Sequence, residues 1–597
     1  MNSSEVIRSE AIALENVSFK YMGEDSATLN NVTLSFDKEK MHLILGSSGC
    51  GKTTLLYALD GLLETSIEGQ LEGNIRFSDD VASAGISLIF QNPDNGFCTF
   101  TVEDEIAFGL ENMNVAPTKI KESISNALEK VGMVGTENKM LSTLSGGEKQ
   151  KIAIACGIAL NSAVYIFDEP TANLDSTSRK EISEILFRLK AEEQKTIIIV
   201  EHNLNEIMSF VDTISLIDEN GKIRLTGKRD QIITKLLFDK ELVDFPVLLP
   251  EELQLIRSWI RDNKNNKVVT DYADNILNAE VSRPLEKVLE DIKIKMFYKS
   301  SYIDIYETKS EKRVESKEDA IKISGLKFKY PGMKNWLLQC QHLDIKKGEF
   351  TAIVGPNGIG KSTLVNIIIK NIEKIVGDVY IDETELKKIS KKELYKKTGL
   401  VFQNPDWQFV TNNLEDEILF SLKNSEKNEE EKKRTVDAVL ERFSLSSVRN
   451  KSPFELSQGQ KRRLSVAVML LTEQKILILD EPTYGQDYDN RLELMDLLAS
   501  LNREGLTVVM ITHEMDIVAQ YADSVICVEE DKLVKKISVE QFFADEALLE
   551  TVRQEAPRVY NFSLKMKEIF NSFEPTYSYE TCRREMFNIV LDGGCDV

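Results

Sequence analysis

Two lysines, Lys52 and Lys361, each stand next to last in an eight-residue run rich in glycine, GSSGCGKT at residues 46–53 and GPNGIGKS at 355–362. Glycine lets a backbone curl until its N–H groups converge on one point, and such a nest takes a phosphate. On this reading Gly46, Ser47, Ser48, Gly49, Cys50 and Gly51 wrap one set of phosphates, with Thr54 just beyond. Gly355, Pro356, Asn357, Gly358, Ile359 and Gly360 wrap another, followed by Thr363. Lys52 and Lys361 neutralise β and γ phosphates, and Thr53 and Ser362 offer a hydroxyl to Mg2+. Two apolar runs end in paired carboxylates, VYIF before Asp168-Glu169 and ILIL before Asp480-Glu481. The first carboxylate of each pair suits Mg2+ through water, and the second is placed to orient or deprotonate an attacking water.

Weaker signals gain meaning from company. Gln91 and Gln403 each follow an aromatic and precede Asn-Pro, where a neutral amide can ligate Mg2+ or a water. His202 and His513 end the runs TIIIVEH and TVVMITH, and two of only four histidines falling at matched points argues for a γ-phosphate contact. His42 and His342 do not match each other in position and receive no role. Tyr21 and Tyr330 lie 25 residues before Gly46 and Gly355, an offset that favours stacking on a base over simple core packing.

Each phosphate loop follows an apolar stretch, MHLIL or FTAIV, and precedes an apolar helix-like stretch, which is the strand–loop–helix setting such a loop requires. The paired carboxylates fall at the C-terminal end of a continuous apolar run, which reads as a buried parallel strand, where ligands bind in α/β sheets. These elements recur in one order with matched spacing: Gln91 to Ser145 and Gln403 to Ser457 are both 54 residues, and Ser145 to Asp168 and Ser457 to Asp480 are both 23. One module is therefore present twice. Each copy also carries a serine–glycine stretch opening an amphipathic helix, Ser145-Gly146-Gly147 and Ser457-Gln458-Gly459. A helix N-terminus of this kind attracts an anion. Because its own module's phosphates are already held, each stretch is expected to close over the other module's nucleotide, head to tail. Gln458 breaks the pattern. A side chain there is expected to strain the backbone, at about 1–3 kcal/mol, and to weaken closure of the first site.

Composition bounds the partners. The 597-residue chain is too long for one ordinary domain, and its net charge of −23 argues against a nucleic-acid polyanion. Seven scattered cysteines without metal-like spacing read as reduced cytosolic thiols. The N-terminal MNSSEVIRSE does not read as a signal peptide, and no apolar run approaches the ~20 residues needed to span a bilayer. Work at a membrane would need other chains.

This set of motifs closely resembles the nucleotide-binding domains of ATP-binding cassette (ABC) proteins, over about 450 of the 597 residues. The segments FQNPDNGFCTFTVEDEIAFGLEN and FQNPDWQFVTNNLEDEILFSLKN, and the tails ELVDFPVLLPEELQLIRSWI and LLETVRQEAPRVYNFSLKMK, further resemble the ATPases of energy-coupling factor importers. The resemblance implies an α/β fold: two tandem P-loop NTPase domains, each a RecA-like core sheet with helices plus a helical signature subdomain, and helical C-terminal extensions. The implied limits are 1–262 for the first domain with its extension, 263–320 for a charged linker, and 321–597 for the second. It implies MgATP hydrolysis at two head-to-tail sites. Its partners would be a transmembrane coupling subunit and a substrate-binding membrane subunit, at the cytoplasmic face of the cell membrane, importing a vitamin or metal ion, with no nucleic acid. Aromatics in residues 92–112 and 404–424, namely Phe97, Phe100, Trp407 and Phe409, are expected to line grooves for that coupling subunit. Departures from the family pattern are Gln458, Glu148 where glutamine is commoner, and the unusual surroundings of Asp487 in TYGQD. The rival reading is a soluble tandem ATPase acting on ribosomes or damaged DNA. The stretch 229–319 holds 16 basic and 19 acidic residues, which does not suit the basic linker of the ribosome-acting members.

Overall fold

The structure is a computed structural model. It describes residues 10–172, 174, 176–201, 204–247, 249–250, 253–254, 257, 260–261, 318–423, 428–471, 474–483, 486, 488–529, 533–557, 559–560, 563–564, 567, 574–577 and 581–582. The chain folds as two compact units, one up to Ser301 and one from Tyr302.

The first unit's strands are β1 (Glu10–Tyr21), β2 (Leu29–Asp37), β3 (Met41–Leu45), β4 (Gly69–Phe77), β5 (Ile86–Ile89), β6 (Val164–Asp168), β7 (Thr196–Val200), β8 (Thr213–Ile217) and β9 (Ile223–Lys228). The second unit's are β10 (Asp319–Phe328), β11 (Leu338–Lys346), β12 (Phe350–Val354), β13 (Val376–Ile381), β14 (Thr384–Glu385), β15 (Thr398–Val401), β16 (Ile476–Asp480), β17 (Thr507–Ile511), β18 (Ser524–Val528) and β19 (Val534–Ser538). The core sheets have the same order, β5-β6-β7-β3-β8-β9 and β15-β16-β17-β12-β18-β19, parallel except for the last strand of each. An antiparallel sheet accompanies each core, β2-β1-β4 and β11-β10-β13-β14. The expected linker 263–320 lies outside the described residues except at its end. There Asp319 and Ala320 already belong to β10, because Asp319 pairs with Lys346 and Ala320 is buried.

Period-two geometry explains the apolar runs. In β16, Ile476 and Ile478 join the cluster beneath the antiparallel sheet, while Leu477 and Leu479 join the cluster that includes the helical subdomain. A strand covered on both faces has no polar side to show. The helical subdomain is built from Val102–Asn112, Pro117–Lys130 and Gly146–Leu160 in the first unit, and from Leu414–Ser421, Glu429–Arg442 and Gln458–Leu470 in the second. The expected α/β cores with helical subdomains are therefore present in both units. Helices also follow the last core strand, Arg229–Phe238 in the first unit and Val539–Ala544 with Glu546–Thr551 in the second. The buried guanidinium of Arg257 pins the first extension by donating to the carbonyls of Leu242, Val243, Phe245 and Val247.

Candidate active site

Each phosphate loop joins the end of an entirely buried strand, β3 or β12, to a helix that begins at its lysine, Lys52–Asp60 or Lys361–Ile368. The turn into the helix needs glycine: Gly51 and Gly360 have φ of 97° and 120°, in the left-handed region where a side chain is strained. Gly46 is required for space, since a Cβ there would lie 2.5 Å from the Ile217 carbonyl oxygen. Lys52 is buried, with Nζ donating to the carbonyls of Gly46 (2.9 Å) and Ser47 (2.7 Å). Lys361 does the same with Gly355 (2.7 Å) and Pro356 (3.0 Å). Both ammonium groups are thus held over the loop by its own backbone. Tyr21 and Tyr330 each stand edge-on to a phenylalanine, and their hydroxyls meet Thr54 Oγ1 (3.0 Å) and Thr363 Oγ1 (3.2 Å).

The strand-end carboxylates converge on the loops as the sequence suggested. Thr53 Oγ1 donates to Asp168 Oδ2 at 3.0 Å, and Ser362 Oγ to Asp480 Oδ2 at 3.2 Å. These hard oxygen donors are the kind Mg2+ takes alongside phosphate oxygens, so the residues fit that ion. Among the described residues no group of three or more His, Cys, Asp or Glu could hold a metal by itself. The next carboxylate is reached by the amide: Gln91 Nε2 donates to Glu169 Oε2 at 2.7 Å, and Gln403 Nε2 to Glu481 Oε2 at 2.8 Å. Both glutamates hold left-handed backbone, φ 48° and 46°, while their N–H groups extend the ladder to Val200 and Ile511. Elsewhere in the described residues this conformation occurs at turns and helix ends, as at Glu39 and Asn161, whereas Glu169 and Glu481 adopt it at matched points where a buried strand ends.

In the second unit His513 Nε2 lies 3.1 Å from Glu481 Oε1. Burial pushes the Glu481 carboxyl up, but His513, Lys361 and Gln403 beside it more than offset this and hold it below its usual range. Asp480 is raised, by burial and by the charge of Glu481. Gln554 of the C-terminal extension comes within 3.3 Å of His513 Nδ1. Its approach was not foreseen from sequence, since 41 residues separate the pair. His202, expected to match His513, lies outside the described residues, as does Asp487. His42, given no role, is buried against Thr213 and the Asp37 carbonyl, and burial lowers its pKa.

Ser145 and Ser457 cap their helices through matched boxes with Glu148 and Gln460. The expected strain at Gln458 is absent. Gln458 is the first helical residue, exposed, and outside the left-handed region. A Cβ at the matching Gly146 would meet only Leu174 Cδ2, at 3.9 Å. The second glycine is the constrained one: a Cβ at Gly147 would lie 2.7 Å from Ser178 Oγ, and at Gly459 2.2 Å from Asn490 Oδ1. The aromatic segment also needs correction. Phe100 and Trp407 are 78% and 76% exposed, and Phe97 is half-buried, but Phe409 is buried against Phe454 in the helical core. One residue type was overlooked altogether. Buried Glu105 accepts from the N–H of Cys98 and Thr99 and from Thr99 Oγ1, and buried Glu417 accepts from the matching groups of Val410 and Thr411. The repeated EDEI of the two segments was the available signal.

Two phosphate loops on parallel cores, each with strand-end carboxylates and an amide on the second of them, define a tandem P-loop nucleotide hydrolase. The family described as "ABC transporter" matches residues 29–172 and 338–484. A Bacillus subtilis (strain 168) protein named "Putative HMP/thiamine import ATP-binding protein YkoD" is 34% identical over 94% of this chain and 97% of its own length. A "Putative ABC transporter ATP-binding protein" of Methanosarcina acetivorans is 32% identical over 88% of this chain and 85% of its own. The archaeal ribosome recycling factor aABCE1, solved in complex with ribosomal stalk protein aP1, shares the fold at 19% identity and a TM-score of 0.51, covering 87% of this chain and 89% of that one. The chain belongs to the ABC transporter ATP-binding proteins and is an ABC ATPase with two fused nucleotide-binding domains.

Proposed function

We propose that the chain is the motor of a membrane importer of the energy-coupling factor type, working at the cytoplasmic face of the cell membrane beneath a coupling subunit and a substrate-binding subunit. It drives uptake of a vitamin or metal ion. Its working units are 1–262 and 319–597, joined by 263–318. The observation that carries this reading is the exposure of Phe100 and Trp407 on the segments that follow the two active-site amides. Gathered exposed apolar side chains suit a docking surface, and these segments carry more of them, Phe108 and Met113 after Phe100, and Val410 and Phe420 after Trp407. The import function named for the Bacillus relative supports the same reading. Among the described residues no helix is long and apolar enough to cross a membrane, so a channel would come from partners.

In this reading Lys52 and Lys361 hold the β and γ phosphates of ATP, and Tyr21 and Tyr330 stack on its base. Thr53 with Asp168, and Ser362 with Asp480, hold Mg2+, which supplies positive charge to the phosphates; Gln91 and Gln403 complete that set. Glu169 and Glu481 orient the attacking water and accept its proton, and His202 and His513 contact the γ-phosphate. Ser145-Gly146-Gly147 closes over the nucleotide on Lys361, and Ser457-Gln458-Gly459 over that on Lys52.

Affinity purification from detergent extracts tests the assignment. The chain should bring down small hydrophobic membrane proteins, and the Phe100→Ser/Trp407→Ser double variant should lose them while binding ATP unchanged. Recovery of ribosomes instead, or full retention of membrane proteins by the double variant, would overturn it.

A further inference from the structure

The two glutamine loops are fastened differently to the helices that carry the serine–glycine stretch. One tie is common: Lys149 pairs with Asp94 at 2.7 Å and Lys461 with Asp406 at 2.8 Å. The second unit adds two more. Arg462, only 1% exposed, donates to the carbonyls of Phe402 and Gln403, the latter at 2.7 Å. Gln408 Nε2 donates to the Ser465 carbonyl at 2.9 Å. Counted from the helix-capping serine, Arg462 lines up with Gln150, which is similarly buried but whose amide nitrogen has no hydrogen-bond partner among the described residues. Counted from the loop glutamine, Gln408 lines up with Gly96, which has no side chain to donate.

We propose that Arg462 is a positioning residue for Gln403. Its planar fork spans two consecutive carbonyls from a helix that also presents Ser457 and Gln458. The backbone that aims the Gln403 amide therefore moves with that helix in the second unit, and is less constrained in the first. A buried guanidinium on two carbonyls makes charge-assisted bonds, stronger than neutral ones and directional. This inference rests on the proposed role of Gln403 at the nucleotide.

A double-mutant cycle on the full chain decides it. Phosphate release is measured across ATP concentrations for Gln403→Ala, Arg462→Gln and the pair, each in a Glu169→Gln chain so that only the second site turns over. Arg462→Gln, which installs the first unit's residue, should lower kcat about tenfold, with KM for ATP within about twofold. The double variant should be no slower than Gln403→Ala alone. Losses that multiply would make Arg462 merely structural and overturn the proposal while sparing the role of Gln403. An inert Gln403→Ala would overturn that role and the proposal with it. Should Arg462→Gln not fold, Arg462→Lys carries the same cycle, because it keeps the charge but on a single nitrogen in place of the fork; its expected loss is smaller and equally absent beside Gln403→Ala. Hydrogen exchange gives a second readout: amides of 402–408 should exchange faster in either Arg462 variant, with 90–96 unchanged. Equal exchange at 402–408 would also overturn the proposal.

Discussion

Glu169 and Glu481 turn the chain sharply at the end of a buried strand, and their left-handed φ costs about 1–3 kcal/mol each unless surroundings impose it. Pairing of their N–H groups with the neighbouring strand imposes it here, and the carboxylate is thereby aimed at the loop amide. Changing both to glutamine keeps the shape and one acceptor oxygen for the loop amide but removes the base, so ATP hydrolysis should fall at least about a hundredfold with ATP binding retained. A nucleotide-binding assay beside a phosphate-release assay separates the two effects. At the serine–glycine stretch the prediction inverts the pattern of the motif. Gly459→Ala should destabilise by about 1–3 kcal/mol, because the new methyl overlaps Asn490 down to its Cβ. Gln458→Gly should leave the second unit's melting midpoint within about 2 °C of the parent, since no strain is relieved there. Calorimetry of the two variants side by side reads both.

At the scale of an element, the first loop helix, Lys52–Asp60, ends on a carboxylate that its own dipole disfavours. Burial pushes Asp60 up to about 6 from an ordinary 3.8. The folded chain therefore holds this proton more tightly than the unfolded chain. That stabilisation is complete below pH 4 and is lost as pH rises through 6. Asp60→Asn removes the penalty of ionising in place. It should raise the thermal midpoint at pH 8, with the gain vanishing as pH falls below about 4. Because the group is partly exposed, screening reduces the effect to ~1 kcal/mol, or about 2–4 °C for a unit of this size. A gain of the same size at every pH would show that the asparagine acts by another route.

Over the whole molecule, two units of one topology carry unequal details. Phe108 and Phe420 are exposed at matched positions, but the two most exposed aromatics of these segments are not: Trp407 lines up with Asn95, and Phe100 with Asn412. A partner docking on both units would therefore meet one shared aromatic and one that differs in place on each. If the two nucleotides are enclosed head to tail, adding MgATP to the Glu169→Gln/Glu481→Gln chain should shrink its radius of gyration in small-angle scattering. An unchanged radius would count against closure within the chain.

What the sequence determined alone was the chemistry carried by contiguous residues. A phosphate loop is eight residues long, and its glycines, lysine and hydroxyl find their places through local backbone geometry. A strand buried on both faces announces itself as an unbroken apolar run, and the carboxylates at its end follow by counting. Matched spacing then revealed the duplication. Only the tertiary structure decided which buried polar group meets which distant backbone atom. Glu105 and Glu417 were hidden in acidic segments that read equally well as solvated. Arg462 reaches Phe402 across 60 positions, and Gln554 reaches His513 across 41. Phe409 and Trp407 are two residues apart and nearly alike in hydrophobicity, yet one is core and the other surface. Gln458 broke a motif without straining the backbone, because close approach constrains the next glycine. Burial and hydrogen-bond partnership are set by long-range packing, which residue type and spacing do not encode.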